Sequence, residues 1–225
     1  MTESQWSSLL PLAIGNHPDH RAHLSLHRAD DLARKDLEHF IHQCFATVHR
    51  ADVQHYLPEL LALQDSHGQL IAAAGMRPAC EGPLFLEKYL DMPLEAAVSQ
   101  LTGTSPSRAC MVEVGNLASL SAGSARIIII AITWLLAIRG LEWVAFTGAA
   151  TLINSFRRLG LTPTVLASAD PNRLRGQVDQ WGTYYDQRPQ VFVGRIGDGF
   201  DALTRSGVFQ RLGFPLIAKE AGHAA

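Results

Sequence analysis

The sequence has few cysteines, no excess of charge of either sign and no hydrophobic run long enough to span a membrane. Its three cysteines, Cys44, Cys80 and Cys110, form no CxxC pair, so we expect free, buried thiols in a reducing compartment. Lys and Arg number 19 against 21 Asp and Glu. This balance gives no electrostatic reason to expect nucleic acid or an anionic membrane surface as a partner.

The longest apolar stretch, residues 127–138, is too short to cross a bilayer. Its twelve residues would extend about 18 Å as a helix, against a hydrocarbon core of about 30 Å. Arg126 and Arg139 bracket the stretch and Gly140 supplies a helix stop. We therefore predict a buried core helix and no integral membrane segment. The N-terminus has no secretory signal pattern, so a cytoplasmic protein is expected.

Histidines are concentrated at the beginning of the chain, which raises the question of a metal site. Eight of the ten precede residue 56, among them His17 and His20 in the lead-in. His39 and His42 share a predicted helix face, but no third ligand follows at a familiar spacing. We therefore predict surface histidines and no metal.

One compact domain is expected, because 225 residues with 47% hydrophobic side chains can bury a sizeable core. We divide the chain into an irregular lead-in or edge segment over 1–20, a main domain over 21–196, and a C-terminal helix and tail over 197–225. Apolar periodicity and turn signals predict the elements. They are strands at 22–27, 110–119, 141–148, 162–168 and 190–196, a hairpin at 56–65 and 69–77, a lid-like segment at 82–95 that leads into a helix at about 94–101, and further helices around 37–48, 127–138, 149–159 and 200–212.

The central unit is a strand that begins at Cys110, followed by a small-residue loop and the buried helix. A helix N-terminus after such a loop presents unpaired backbone N–H groups, which favour an anionic group. Glu113 lies on the preceding strand, so a proton acceptor would stand beside the anion site. The strand at 141–148 should pair in parallel with this strand, because a helix connects the two.

This order of elements resembles the acetyltransferase (GNAT) fold, a mixed sheet whose two central strands splay to admit an acyl-thioester donor. We therefore expect an α/β (α+β), GNAT-like fold with six to seven strands flanked by helices. In that superfamily a Gln/Arg-x-x-Gly-x-Gly/Ala loop binds the donor's pyrophosphate, and LSAGSA at 120–125 matches it except at Leu120. The resemblance implies a cofactor-binding site made of Leu117, Ser119, Ser121, Ala122, Gly123, Ser124, Ala125 and Arg126.

A longer resemblance is to the thermostable hemolysin family. It is carried by PLFLEKYLDMPLE (83–95), VEVGNLAS (112–119), ASADPNRL (167–174) and WGTYYDQRPQVFVG (181–194), and it extends from about residue 20 to 196. That family is distantly similar to the acyl-homoserine-lactone synthases, which implies acyl-CoA or an acyl carrier protein thioester as the donor. Those synthases carry an arginine near the place where this chain has Asn116.

Acyl transfer to an amine needs a base, donors for the developing oxyanion and a group that protonates the leaving thiolate. Glu113 is the predicted base, because burial in an apolar strand would raise its pKa. The alternative is a structural carboxylate that binds a neighbouring loop. Asn116 is predicted to hold the acyl carbonyl or the amine, with backbone N–H groups around 117–119 as the oxyanion site.

The candidate acid and the substrate-binding residues come from flanking segments. GNAT enzymes often use a tyrosine where this chain has Phe156, so Tyr89 is predicted to replace it. Tyr184, Tyr185 and a thiolate that leaves unassisted are the alternatives, and aromatic packing explains each tyrosine equally well. Glu87 is predicted to recognise an amine unless it belongs to a solvated face. The predicted substrate-binding set is Arg77, Glu87, Trp181 and Tyr184.

Together these residues predict an N-acyltransferase that moves an acyl group, expected to be fatty, to a small amine or amino acid. Two other classes stay open. One is a directly membrane-lytic hemolysin that inserts its apolar helix, and the other is a catalytically inactive GNAT-like module that only binds a ligand. An acyl carrier protein and a second copy of the chain, forming a homodimer, are the protein partners to consider.

Overall fold

The computed structural model describes residues 2–16 and 21–215, and its centre is an eight-stranded mixed sheet. The strands are β1 (Leu12–Ile14), β2 (Ala22–His27), β3 (Glu59–Gln64), β4 (Leu70–Pro78), β5 (Met111–Ser119), β6 (Trp143–Gly148), β7 (Thr164–Ser168) and β8 (Gln190–Arg195). Their order across the sheet is β1-β2-β3-β4-β5-β6-β8-β7. Only β5 and β6 pair in parallel within this sheet, as their helical connection predicts.

Helices cover both faces of the sheet in the described part of the chain. They are α1 (Glu3–Ser7), α2 (Arg34–His49), α3 (Leu94–Thr102), α4 (Ala122–Ile138), α5 (Ala150–Arg158), α6 (Ile196–Arg205) and α7 (Val208–Leu212). The single helix predicted over 200–212 is in fact two, α6 and α7. Gly207 separates them with φ 69°, a left-handed conformation that favours glycine.

The predicted α/β (α+β) class and the order of elements are confirmed, with one strand more than expected. The additional strand, β1, lies in the lead-in, which we expected to be irregular or an edge segment, and it forms the edge of the sheet beside β2. The lead-in also contains α1, whose Trp6 is buried. His17 and His20 lie outside the described residues.

The apolar run forms α4, and 11 of its 17 residues are buried. No helix within residues 2–16 and 21–215 combines the length and apolarity needed to cross a membrane. Helix α4 packs on one face of the sheet, together with α5, α6 and α7. Because side chains alternate along a strand, Val112 and Val114 point to α4, and Glu113 points to the opposite face.

The opposite face of the sheet is covered by α2 and by two irregular segments. The first irregular segment, residues 83–90, contains a 3-10 turn at Leu86–Tyr89. The second irregular segment, residues 178–187, contains 3-10 turns at Val178–Trp181 and Tyr184–Gln187. Leu86 and Tyr89 are buried there against β6 and β8. The lid-like segment expected over the sheet therefore lies directly above Glu113.

All three cysteines are free, but their expected burial is wrong for Cys80, which is exposed; Cys44 and Cys110 are half-buried. Cys80 lies in a 3-10 turn at Ala79–Glu81 that follows β4, where only Ala79 is buried. Among the residues that the structure describes, no group of three or more His, Cys, Asp or Glu side chains is arranged to hold a metal ion.

Candidate active site

The two central strands, β5 and β6, separate halfway along their length. Their parallel register runs from Met111–Trp143 to Val114–Phe146 and then ends, although β5 continues to Ser119. A cavity of about 1170 Å³ opens at this gap. Its lining includes residues of α4 and α6 on one face and of α2 and the 83–90 segment on the other, so the cavity passes through the sheet.

A bulge in β5 shapes one wall of the gap. Gly115 pairs with Gly75 and Ala118 with Ala73, so two β5 residues, at 116 and 117, oppose a single residue of β4. Asn116 is left-handed, with φ 49°, a conformation that asparagine tolerates better than most residues. The bulge interrupts the β4–β5 ladder at the level where β5 and β6 separate.

The Asn116 side chain fixes the coil between α2 and β3. Its Oδ1 accepts a hydrogen bond from the Leu57 N–H at 2.9 Å, and its Nδ2 donates to the His55 carbonyl at 3.0 Å. The Leu57 side chain lies over two opposed glycines: a Cβ on Gly75 would be 2.9 Å from Leu57 Cβ, and one on Gly115 would be 3.1 Å from Leu57 Cδ1. Asn116 borders the cavity, but its amide is already engaged by backbone groups.

Glu113 is buried in the cavity wall, with 4% of its surface exposed. Its Oε2 accepts a hydrogen bond from the Phe85 N–H at 2.7 Å and its Oε1 from the Leu86 N–H at 2.9 Å. Burial raises the pKa of Glu113 to about 7, although these N–H groups and the charge of Arg77 lower it. A carboxylate has about four lone-pair sites, so the loop contacts orient Glu113 without using all of its acceptor capacity.

Tyr89 also lines the cavity, and its hydroxyl forms a hydrogen bond with the Tyr185 hydroxyl. Burial, reinforced by neighbouring tyrosines and Glu113, raises the pKa of Tyr89 well above its ordinary value. Burial also raises the pKa of Tyr185, to about 12, although the hydrogen bond with Tyr89 lowers it. Both hydroxyls therefore keep their protons at neutral pH.

Aromatic rings form a continuous wall on the Glu113 side of the cavity. Neighbouring ring centroids in this wall lie 5.2 to 6.3 Å apart. The term aromatic wall denotes five residues: Phe45, His49, Phe85, Trp181 and Tyr184. All five line the cavity. The sequence predicted Trp181 and Tyr184 as site residues but missed the other three.

The wall is held together by a close approach between the second irregular segment and the end of α2. The Thr183 N–H donates to the His49 carbonyl at 2.7 Å. Gly182 has φ 50°, and a Cβ there would lie 2.1 Å from the same carbonyl oxygen. Only glycine fits this position, a requirement that is not apparent from sequence spacing.

Glu87, which the sequence predicted as substrate-binding, lies outside this cavity. It accepts hydrogen bonds from Arg108 at 2.6 and 2.9 Å, from the Leu84 N–H at 2.9 Å and from the Leu94 N–H at 2.8 Å. Burial alone would raise its pKa, but these donors lower it to about 2. Glu87 therefore fixes the 83–95 segment over the sheet, which leaves no support for a contact with substrate.

The start of α4 is capped by its own side chains. Ser121 Oγ accepts a hydrogen bond from the Ser124 N–H at 3.1 Å, and the Ser121 N–H donates to Ser124 Oγ at 3.2 Å. This capping box leaves the N–H groups of Ala122 and Gly123 without an intrahelical partner. Of the predicted cofactor residues, Leu117, Ser119, Ala122 and Ala125 line the cavity, whereas Ser121, Gly123, Ser124 and Arg126 do not.

A mixed sheet with parted central strands and a cavity through the gap is the GNAT-like fold that the order of elements predicts. Three solved structures share it. The AHL synthase LasI is 11% identical over 79% of this chain and 91% of its own, with a TM-score of 0.54. FeeM, an N-acyl amino acid synthase from uncultured soil microbes, is 11% identical over 84% and 98%, with a TM-score of 0.55. The CoA-dependent acyl-homoserine lactone synthase BjaI, solved with SAM and isopentyl-CoA, is 16% identical over 87% and 92%, with a TM-score of 0.54.

Within this fold class the sequence also identifies the family. The family model described as thermostable hemolysin matches residues 27–200, and the chain belongs to that family. No curated protein matches the sequence. The identities to the solved structures establish the common fold alone, so the chemistry has to be inferred from the cavity.

Proposed function

We propose that the protein is an N-acyltransferase that moves an acyl group from acyl-CoA or an acyl carrier protein to a small amine. The observation that carries this proposal is Glu113, a buried carboxylate with a pKa raised to about 7 in a cavity between parted central strands. A base with a pKa near the working pH is the group that deprotonation of an amine requires. BjaI, a CoA-dependent synthase solved with isopentyl-CoA, supports a thioester donor, and FeeM, an N-acyl amino acid synthase, supports acylation of an amine.

The donor would place its phosphates at the N-terminus of α4. The N–H groups of Ala122 and Gly123 and the helix dipole favour an anion there. Packing within the chain does not require glycine at 123, because a Cβ would lie 3.5 Å from Ser121 Oγ, an ordinary contact. The small residue instead leaves room for a ligand, whose pantetheine arm would pass Leu117 and Ser119 to reach the bulge.

The acyl chain would occupy the apolar part of the cavity beneath the sheet. Ala125, Ile129, Ile132 and Leu136 present one stripe of α4 to the cavity, and Phe146 of β6 lies opposite. From 125 to 136 the helix rises about 16 Å, a length that suits an extended chain of many carbons. A fatty acyl group therefore fits this lining better than an acetyl group, and its amphiphilic product would account for the lytic activity that the family's name denotes.

In the reaction, the Glu113 carboxylate would take a proton from the ammonium of the acceptor. The freed amine nitrogen attacks the thioester carbonyl carbon, a C–N bond forms, and the C–S bond then breaks. The nitrogen gives up a second proton to water, the thiolate takes up one proton to become the free thiol, and Glu113 later releases its proton to solvent, so one proton is released per turnover. The Tyr89 hydroxyl, which lines the cavity and stays protonated at neutral pH, is our candidate to supply the proton of the thiol, and it would regain one through Tyr185.

Release of free thiol from an acyl-CoA in the presence of an amine tests the proposal. Replacing Glu113 by Gln should lower kcat/KM by about 100-fold or more, as expected for loss of a general base. Glu59→Gln is the matched control, because Glu59 is 6% exposed and pairs with Arg139 at 2.5 Å but does not line the cavity. Equal activity of Glu113→Gln and the wild type would contradict the proposal.

A second candidate, a module that binds a thioester without turning it over, is favoured by the contacts already made by Asn116 and by both oxygens of Glu113. Calorimetry with coenzyme A separates the two, because tight binding without thiol release would favour the module. For the membrane-lytic hypothesis, α4 would have to leave the core in which most of its residues are buried.

A further inference from the structure

Arg77 brings a guanidinium to the same cavity as Glu113. It stands on β4 directly opposite Glu113 on β5 in antiparallel register, and the Cβ atoms of such a pair lie about 4.5–5.5 Å apart on one face. Its Nε is buried and has no hydrogen-bond partner within residues 2–16 and 21–215. A buried charged donor without a partner is costly, so the position points to a group that the chain itself does not provide.

Three other partly buried arginines are satisfied by protein groups. Arg34 binds Glu38 and two backbone carbonyls. Arg108 binds Glu87 and Glu95, and Arg139 binds Glu59. Against these, the unpartnered Nε of Arg77 is an exception. Its neighbour Glu113, whose oxygens accept from the lid backbone, makes no hydrogen bond to this Nε.

The free end of Arg77 lies at the edge of the cavity, beside the turn that leads into the lid-like segment. A Cβ on Gly82 would be 3.9 Å from Arg77 Nη2, and Pro83 and Leu84, which follow in sequence, line the cavity together with Arg77. Arg77 is half-buried and lines the cavity, so the outer end of its guanidinium faces a ligand space while Nε is buried.

We propose that the acceptor is an α-amino acid whose carboxylate binds Arg77 while its amine stands at Glu113. This assignment rests on the acyl transfer proposed above and narrows its acceptor. A guanidinium binds a carboxylate through two parallel hydrogen bonds. In an α-amino acid the amine and the carboxylate are attached to one carbon, so a base and an arginine side by side on neighbouring strands match their spacing.

The aromatic wall specifies the side chain of this amino acid. It borders the same cavity face as Arg77 and Glu113, and it offers ring surfaces. Aromatic faces bind apolar and aromatic groups in offset or edge-to-face contact. We therefore assign a large apolar or aromatic amino acid as the acceptor. Its carboxylate takes part only in binding and stays intact in the N-acyl product.

Three acceptors that share a phenethylamine skeleton test the assignment with a fatty acyl-CoA: phenylalanine, phenylalanine amide and phenethylamine. Only the first carries a carboxylate. Wild-type kcat/KM for thiol release should be about 10- to 100-fold higher with phenylalanine than with the other two acceptors. This factor corresponds to the free energy that a hydrogen bond to a charged group usually contributes. Arg77→Met should bring this ratio close to one, and Arg77→Lys, which keeps the charge but loses the fork, should give an intermediate ratio.

Equal wild-type rates with all three acceptors would overturn the amino-acid assignment and leave acyl transfer standing. Absence of thiol release with every acceptor would overturn both. If Arg77→Met fails to fold, as judged by circular dichroism, the comparison of acceptors on the wild type alone decides the question. An unchanged ratio in a folded Arg77→Met variant would also overturn the role of Arg77.

Discussion

The buried Glu113 should make the folded protein less stable as pH rises, and the size of the effect follows from its pKa. The ordinary carboxyl value of 4.5 is raised to about 7 in the folded state, so the folded state holds a proton that the unfolded state has released. The stability linked to this proton is complete at low pH and is lost as pH rises toward 7. Linkage predicts a loss of about 2.5 kcal/mol in the free energy of unfolding between about pH 5 and pH 8.

The perturbation that isolates this contribution is Glu113→Gln, measured by urea denaturation of wild type and variant at both pH values. Glutamine places an amide N–H₂ against one of the two lid N–H groups, which destabilises the variant by an amount that does not depend on pH. The difference in the free energy of unfolding between variant and wild type should nevertheless shift by about 2.5 kcal/mol in favour of the variant from the lower to the higher pH.

Glu87→Gln is the matched control, because Glu87 binds the same segment but has a pKa lowered to about 2. Its carboxylate is charged at both pH values, and the difference between this variant and wild type should stay constant across the range. A constant difference for Glu113→Gln as well would show that Glu113 is not desolvated, and the reasoning that makes it the base would be refuted.

Three further outcomes follow. The kcat/KM for acyl transfer should rise with pH through an inflection near the Glu113 pKa of about 7; a pH-independent profile would speak against Glu113 as the base. Gly75→Ala should destabilise the fold by about 1–3 kcal/mol in urea denaturation, because its Cβ would lie 2.8 Å from Asn116 Oδ1, whereas Gly197→Ala in α6 meets no atom within 4 Å and should not destabilise it. Gly182→Ala should lower the thermal unfolding midpoint and weaken acceptor binding in calorimetry, since its Cβ would collide with the His49 carbonyl; unchanged values would contradict the close approach.

The central unit could be predicted from the sequence because its signals are local. A strand ending in small residues and followed by an apolar run specifies β5 and α4, and a carboxylate in an apolar strand marks Glu113. The parallel pairing of β5 and β6 follows from the helix between them. The lead-in could be predicted only as an irregular or an edge segment, because the three-residue strand β1 has no measurable alternation.

The remaining parts of the site depend on contacts between distant segments. Asn116 was expected to touch substrate, but its positive φ and its hydrogen bonds to a coil some sixty residues earlier follow from the bulge. Phe45 and His49 lie near the C-terminal end of α2. Only the docking of the loop at 182–184 against this end brings them into the aromatic wall. Glu87 illustrates the converse, since its pairing with Arg108 shows why a charged residue in a lid need not face the substrate.

The most direct test of the proposed activity is incubation of the purified protein with a fatty acyl-CoA and phenylalanine, followed by mass spectrometry of the products. N-acyl-phenylalanine and free coenzyme A should accumulate in equal amounts, and their rate should fall by about 100-fold in Glu113→Gln. Release of no thiol and formation of no acylated amine, with a carrier-protein thioester as well as with acyl-CoA and across a panel of amines, would contradict acyl transfer as the function of this cavity.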